Sequence, residues 1–311
     1  MKKCAKFRMF LLISGILLLQ TPAISALANQ ISIGTTPYGI AFDGANIWVT
    51  NYAGGTVSKL NASDGSLVGT YAVATPWAIA FDGENIWVTN YAGNTVTKLN
   101  ASDGSLIGQY TVGSTPNGIA FDGSNIWVTN AGGTVTKLRA IDGSLVGTYA
   151  VADPWGIAFD GANIWVTNHE SKTVTKLRAR DGCLLGTYKV SSRPVGIAFD
   201  GANIWVANYS SKTVSKLKAS DGSLVKKYKV GREPFAVTFD GVNIWVANAS
   251  GTVTKLRACD GCLLGTYAVC SYPNGVAFDG ANIWAANAGG TVVKLRASDG
   301  SPIGAYEFRR Q

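Results

Sequence analysis

The phrase Phe-Asp-Gly-Ala-Asn-Ile-Trp-Val-Thr-Asn occupies residues 42–51 and returns unchanged at 159–168. Its Phe-Asp-Gly start recurs at Phe42, Phe81, Phe121, Phe159, Phe199, Phe239 and Phe278, with spacings of 39, 40, 38, 40, 40 and 39 residues. A self-similar period of this length restricts a chain to repeat architectures, in which each unit buries its faces against its neighbours. It outweighs the prior of one domain per ~150 residues. One closed array is expected over residues 29–311.

One repeat reads as four strands. Gly39 to Phe42 is a short apolar run ended by Asp-Gly. Asn46 to Asn51 is rich in Ile, Trp, Val and Thr, which favour strands. Gly54-Gly55 interrupt, Thr-Val-Ser-Lys-Leu resumes, Ser-Asp-Gly marks a tight turn, and Leu-Val-Gly-Thr-Tyr-Ala-Val runs to Thr75-Pro76. No helical period occurs after residue 29. Short turns make each repeat an antiparallel meander. Alternation points Ile47 and Val49 to one face and Trp48 to the other, so both faces want cover. Sheets packed on both faces and repeated radially make a propeller. The expected fold is therefore all-β, a seven-bladed β-propeller of four-stranded antiparallel blades. Trp48, Trp87, Trp127, Trp165, Trp205, Trp245 and Trp284 are expected to fill the gaps between blades. Two segments compete for the outer edge of the last blade, residues 302–308 and residues 30–34, and the sequence leaves open which one takes it.

The ends and the composition bound the setting. Lys2, Lys3, Lys6 and Arg8 precede an apolar run from Met9 to Leu19 and a small-x-small site at Ala26-Leu27-Ala28. Residues 1–28 read as an export signal, so the mature chain is expected in the periplasm or outside the cell. Cys4 precedes the apolar run, which excludes it as a lipid-anchored first residue. There is no second long apolar stretch, and hence no expected membrane span after cleavage. Without the signal the formal charge falls from +8 to +4. Between Asn168 and Phe235 stand 13 Lys or Arg and 5 Asp or Glu. That sector is mainly a solvated face and a potential contact for an acidic partner. Nucleic acid is not an expected partner of an exported chain. In the Cys259-Asp-Gly-Cys262 turn, two cysteines replace serines of other copies. A disulfide across the turn and two free thiols both remain open. A zinc site would need a second such pair or a nearby His.

The recurring Trp-Val-Thr-Asn, Gly-Thr-Val-Ser-Lys-Leu, Asp-Gly, Leu-Val-Gly-Thr-Tyr and Gly-Ile-Ala-Phe-Asp-Gly phrases resemble the YVTN β-propeller repeat. More loosely, they resemble the propellers of the virginiamycin B lyase group. The likeness spans nearly all of the mature chain, is specific for fold and says little about function. The lyase likeness implies a His pair with a Glu and a magnesium ion. This chain has one His, His169, and cannot supply that pair.

Comparison of the seven copies separates two ends. The Phe-Asp-Gly-x-Asn and Ser-Asp-Gly connections hardly change, and their Asp residues read as turn formers. The connections after strand two and between blades vary and are expected at the opposite end. The residue after each inter-blade Pro is Tyr38, Trp77, Asn117, Trp155, Val195, Phe235 or Asn274. These positions feed the innermost strand and therefore rim the channel. Tyr38, Trp77, Trp155 and Phe235, with Arg193 and Arg232 beside them, are the expected ligand-binding residues. An aromatic, mixed-charge funnel suits a small molecule, a sugar or a peptide. The weak catalytic candidates are His169, Glu170 and Asp153, but His169 is expected as an exposed loop residue whose loss leaves binding unchanged. Nucleophile-elbow and phosphate-loop motifs are absent. No metal or cofactor is expected. The reading is an exported, non-enzymatic binding module, with a virginiamycin B lyase-like lyase or hydrolase as the alternative.

Overall fold

The computed structural model describes residues 28–30 and 35–307. The expected export signal, apart from Ala28, lies outside the described residues, as do Cys4 and residues 31–34.

Each repeat forms a four-stranded antiparallel meander, and seven such blades make the propeller. Blade four serves as the pattern. Its strands are Pro154–Phe159, Asn163–Asn168, Thr173–Arg178 and Leu184–Lys189, ordered from the channel outward. A single 3-10 turn at Tyr209–Ser211 is the helical element among the described residues. In blade seven the outer position goes to Pro302–Glu307, which an Asp-Gly turn delivers antiparallel to its neighbour. Ala28–Gln30 adds outside it as a parallel fifth strand. Of the two segments that competed for that edge, the C-terminal one takes it, while residues 31–34 of the other lie outside the described residues.

The seven Trp are fully buried and lie between blades as expected. Trp165 packs with Ile197, Ile204, Val206 and Leu217 of blade five. Trp284 of blade seven packs with Ile47, Val49 and Leu60 of blade one. Its buried indole N–H needs an acceptor. The Phe-Asp-Gly carboxylate supplies it: Trp165 Nε1 donates to Asp160 Oδ2 at 2.7 Å. Asp160 Oδ1 accepts from the Ala162 and Asn163 amides at 2.9 and 2.6 Å. The repeated Asp thus forms the turn and also orients the Trp.

A second inter-blade contact was not anticipated. Cross-strand register places Lys176 beside Trp165 on the same face. Its Nζ lies 4.9 Å above the Trp165 ring and donates to Ala219 O of blade five at 2.7 Å. All seven equivalent lysines, Lys59, Lys98, Lys137, Lys176, Lys216, Lys255 and Lys294, are only 3–6% exposed. Two of them, Lys176 and Lys216, belong to the basic sector read as a solvated face, so that reading is corrected for both. Lysine is rarely buried without partners. Here an aromatic face and carbonyls replace its water. Lys294 donates to Ala62 O and Ser63 O at 2.7 and 3.0 Å, which closes blade seven onto blade one by the same device.

Outer-strand tyrosines complete each interface. Tyr110 of blade two stacks on Trp87 at 5.4 Å and covers Gly143 in the Asp-Gly turn of blade three. Gly143 has φ +73°, and a Cβ there would fall within 2.0 Å of the Tyr110 ring. Both backbone and space demand glycine. Cys183, Cys259, Cys262 and Cys270 carry free thiols in this structure.

Candidate site at the channel mouth

The two variable connections share one face. In every blade the residue before the inter-blade Pro adopts a left-handed φ, from +45° at Thr75 to +60° at Thr36. That conformation is strained for a side-chain-bearing residue. It turns the carbonyl toward the loop after strand two, which donates to it: Tyr52 N to Thr36 O at 3.0 Å, Tyr91 N to Thr75 O at 3.0 Å, His169 N to Asp153 O at 2.9 Å and Tyr209 N to Arg193 O at 2.9 Å. The Phe-Asp-Gly and Ser-Asp-Gly turns bond one another at the other end, as in Ala62 N to Ala45 O at 3.0 Å.

Threonines on strand two set the residue after Pro. Thr50 Oγ1 accepts from Gly39 N and donates to Trp77 O of the next blade, both at 2.7 Å. Thr89 Oγ1 donates likewise to Asn117 O at 3.1 Å, Thr129 to Trp155 O, and Thr167 to Val195 O at 2.9 Å. Each hydroxyl therefore holds the backbone from which the next mouth residue projects. Ala207, Ala247 and Ala286 take this position in blades five to seven.

The structure brings Tyr38, Trp77, Trp155 and Phe235 together. Ring centroids are 3.6 Å apart for Tyr38 and Trp77, 5.7 Å for Tyr38 and Phe235, and 6.4 Å for Trp77 and Trp155. The two edge-on pairs, Tyr38 with Phe235 and Trp77 with Trp155, are of the kind that stabilises beyond simple burial. A second ring joins them: Tyr91 stacks on Trp77 at 4.7 Å, Tyr52 meets Trp77 edge-on at 5.2 Å and Tyr209 meets Phe235 at 6.2 Å. Sequence reading missed these tyrosines. The signal was the aromatic residue after the strand-two Asn in blades one, two and five. Burial pushes the Tyr38 phenol well above its ordinary range, reinforced by Tyr91, Tyr209 and Tyr52.

His169 is not the exposed loop residue expected. Its side chain is 21% exposed, and its ring stacks on Trp155 at 5.2 Å. His169 Nδ1 lies 2.9 Å from Glu170 Oε1, and Arg193 Nε lies 3.8 Å from the same oxygen. Packing against Trp155, which enters the same blade 14 residues earlier, draws the ring inward. The Asp153 carboxylate accepts from Ser171 Oγ at 2.9 Å. Arg232 stays exposed on its loop, with its carbonyl accepting from Ser250 Oγ at 3.1 Å.

The four aromatics and the glycine-rich inner strands line a cavity of about 190 Å³. Asn117 reaches it only 1% exposed. A larger groove of about 720 Å³ lies at the opposite face between blades three and four. Its polar groups include Asp122 and Lys137, which are already committed to the Trp127 and Ala179 contacts. The mouth is the better candidate, because its aromatic groups vary between blades whereas that groove repeats scaffold residues. Among the described residues no cluster of three or more His, Cys, Asp or Glu is placed to hold a metal ion.

Several known structures share this architecture. A streptogramin B lyase is 22% identical, with a TM-score of 0.72 over 85% of this chain and 94% of that one. A functionally unknown protein from Desulfotomaculum acetoxidans DSM 771 is 16% identical, with a TM-score of 0.73 over 84% and 95%. The hydrazine synthase of Kuenenia stuttgartiensis is 17% identical, with a TM-score of 0.74 over 87% and 98%. At such identities the likeness concerns fold alone. No curated protein sequence matches. The family model described as outer membrane protein assembly factor BamB matches residues 25–228. That match spans well over half of the chain, which therefore belongs to this family.

Proposed function

We propose that this protein is an exported, non-enzymatic binding propeller whose ligand occupies the loop face at the channel mouth. The observation that carries this is the convergence of Tyr38, Trp77, Trp155 and Phe235 from four blades on one cavity. Aromatic and Arg side chains are the types that most often anchor a partner. The family description, an assembly factor, supports binding over catalysis. The ligand classes that fit are a small molecule, a sugar or a peptide. Exposed Lys226, Lys227 and Lys229 on the outer strand of blade five would serve an acidic partner, whose binding should weaken as salt is raised.

The test is a ligand screen of sugars, peptides and aromatic antibiotics against the mature chain, read by tryptophan fluorescence. For any ligand found, changing Trp77 and Trp155 together to Ala should weaken binding by roughly 2–4 kcal/mol. Glu84→Ala and Ser124→Ala, exposed at the opposite turns, should change little. A silent Trp pair with effects at the opposite turns would reverse the face.

The second reading is a virginiamycin B lyase-like activity. The His169, Glu170 and Arg193 group beside Trp155 is what favours it. A stoichiometric divalent ion on purified protein, removable by chelator, would support that reading. The single His of the chain argues against the paired-His arrangement of that group.

A further inference from the structure

The polar groups of the cavity are the inner-strand backbone, Tyr38, Asn117 and the partly exposed Asn274. In blades one to four the inner-strand amides of Gly39, Ala78, Gly118 and Gly156 already donate to threonine hydroxyls at 2.7–2.9 Å. The facing carbonyls accept from the same hydroxyls. Against this bonded backbone, Asn117 stands apart. Both its Nδ2 and its Oδ1 are buried and make no hydrogen bond with the described residues, although the residue is part of the cavity wall, so the amide meets a ligand by turning into the cavity. An unmet amide is costly, because each buried polar atom has given up water.

We propose that the cavity takes one planar six-membered ring bearing an adjacent hydrogen-bond donor and acceptor, a lactam or pyrimidine-like edge, which pairs with both atoms of the Asn117 amide. This rests on the mouth being the ligand site. Three observations select the class. The volume, about 190 Å³, is close to the ~150 Å³ that holds a benzene-sized ring. The walls are aromatic faces and edges from Tyr38, Trp77, Trp155 and Phe235, which suit a flat apolar body. The amide presents one donor and one acceptor side by side, the pattern asparagine uses for two-point recognition of a heterocyclic edge. A hexose fits the volume, but its many hydroxyls would lose water against aromatic walls that do not replace it. An extended peptide backbone points N–H and C=O in opposite directions and does not match the amide edge.

The probes are 2-pyridone, toluene and glucose, titrated into the mature full-length chain and followed by saturation-transfer NMR. Wild-type protein should bind 2-pyridone and discriminate against glucose. Asn117→Leu should weaken 2-pyridone at least tenfold while toluene binds as well or better. Asn117→Ala, which only vacates space, should also lose 2-pyridone, and thermal melts establish that each variant folds. Unchanged 2-pyridone affinity in both variants would overturn the proposal. So would glucose binding more tightly than 2-pyridone, or no 2-pyridone signal at all, which would leave water as the partner of Asn117. If toluene or glucose binds in a manner abolished by the Trp77 and Trp155 double change while 2-pyridone does not, only the lactam assignment fails. If probe binding ignores that Trp pair, the mouth itself is wrong.

Discussion

Replacing Lys137 by Met tests whether the buried lysines hold the blades together. Met keeps most of the apolar stem, so the change removes chiefly the ammonium. In the native protein Lys137 Nζ donates to Ala179 O at 2.7 Å and Arg180 O at 3.3 Å, and sits 4.9 Å above Trp127. Charged hydrogen bonds contribute about 1.5–3 kcal/mol each, and a desolvated cation–π contact about 2 kcal/mol. The opposing effect is relief of the ammonium's own desolvation, several kcal/mol. Ala179 is buried, so its carbonyl finds no ready replacement, whereas exposed Arg180 can turn to water. The net expectation is a destabilisation of about 2–4 kcal/mol. Urea unfolding of the mature chain, followed by tryptophan fluorescence and circular dichroism, reads this as a lower midpoint at unchanged slope. Lys294→Met removes the same contacts at the junction of blades seven and one, and should cost the same within about 0.5 kcal/mol. A change below about 0.5 kcal/mol in Lys137→Met would refute the argument, because desolvation would then cancel the contacts. A silent Lys294→Met beside a damaging Lys137→Met would show that the ring is not closed by this contact.

Other perturbations probe separate parts of the molecule. Gly143→Ala places a Cβ against Tyr110 at a left-handed φ and should cost about 2–4 kcal/mol in the same urea assay; a neutral result would mean that the turn relaxes freely. Burial alone would raise the carboxyls of Asp43, Asp160, Asp240 and Asp279, but the Trp N–H and turn amides outweigh it and hold them below the ordinary 3.8. Their folded values lie below the unfolded ones, so the stability they confer is complete above pH 3.8 and is lost as pH falls through the lowered values. Urea midpoints against pH should show this acid limb, and Asp160→Asn should make it shallower; an identical limb would remove Asp160 as a contributor. His169→Ala removes a ring stacked on Trp155 and should lower stability by about 0.5–1.5 kcal/mol and alter any mouth ligand's affinity. If both stay unchanged, the stacking has no consequence.

The period, the strand-forming phrases and the Asp-Gly turns were enough to read seven four-stranded blades, because hydrogen bonding within a blade and alternation of faces are local properties of about 40 residues. The same alternation placed Trp48 opposite Ile47 and Val49. Comparison of the copies placed Tyr38, Trp77, Trp155 and Phe235 at the mouth, since residues after the inter-blade Pro feed the innermost strand of a closed ring. What the residues could not disclose depends on tertiary contacts, some within a blade and some between blades. Lys176 looked like a surface charge until register set it beside Trp165 and the neighbouring turn offered its carbonyls. His169 looked exposed until Trp155, from another strand, lay beneath its ring. Tyr52, Tyr91 and Tyr209 joined the mouth because their loops pack on the Pro loops. Asn117 was one variable residue among seven, and only convergence of the inner strands buried its amide at the channel wall. Repeats specify their own fold redundantly, whereas a site on the axis is assembled from single, non-repeated residues whose distances are set only when the ring closes.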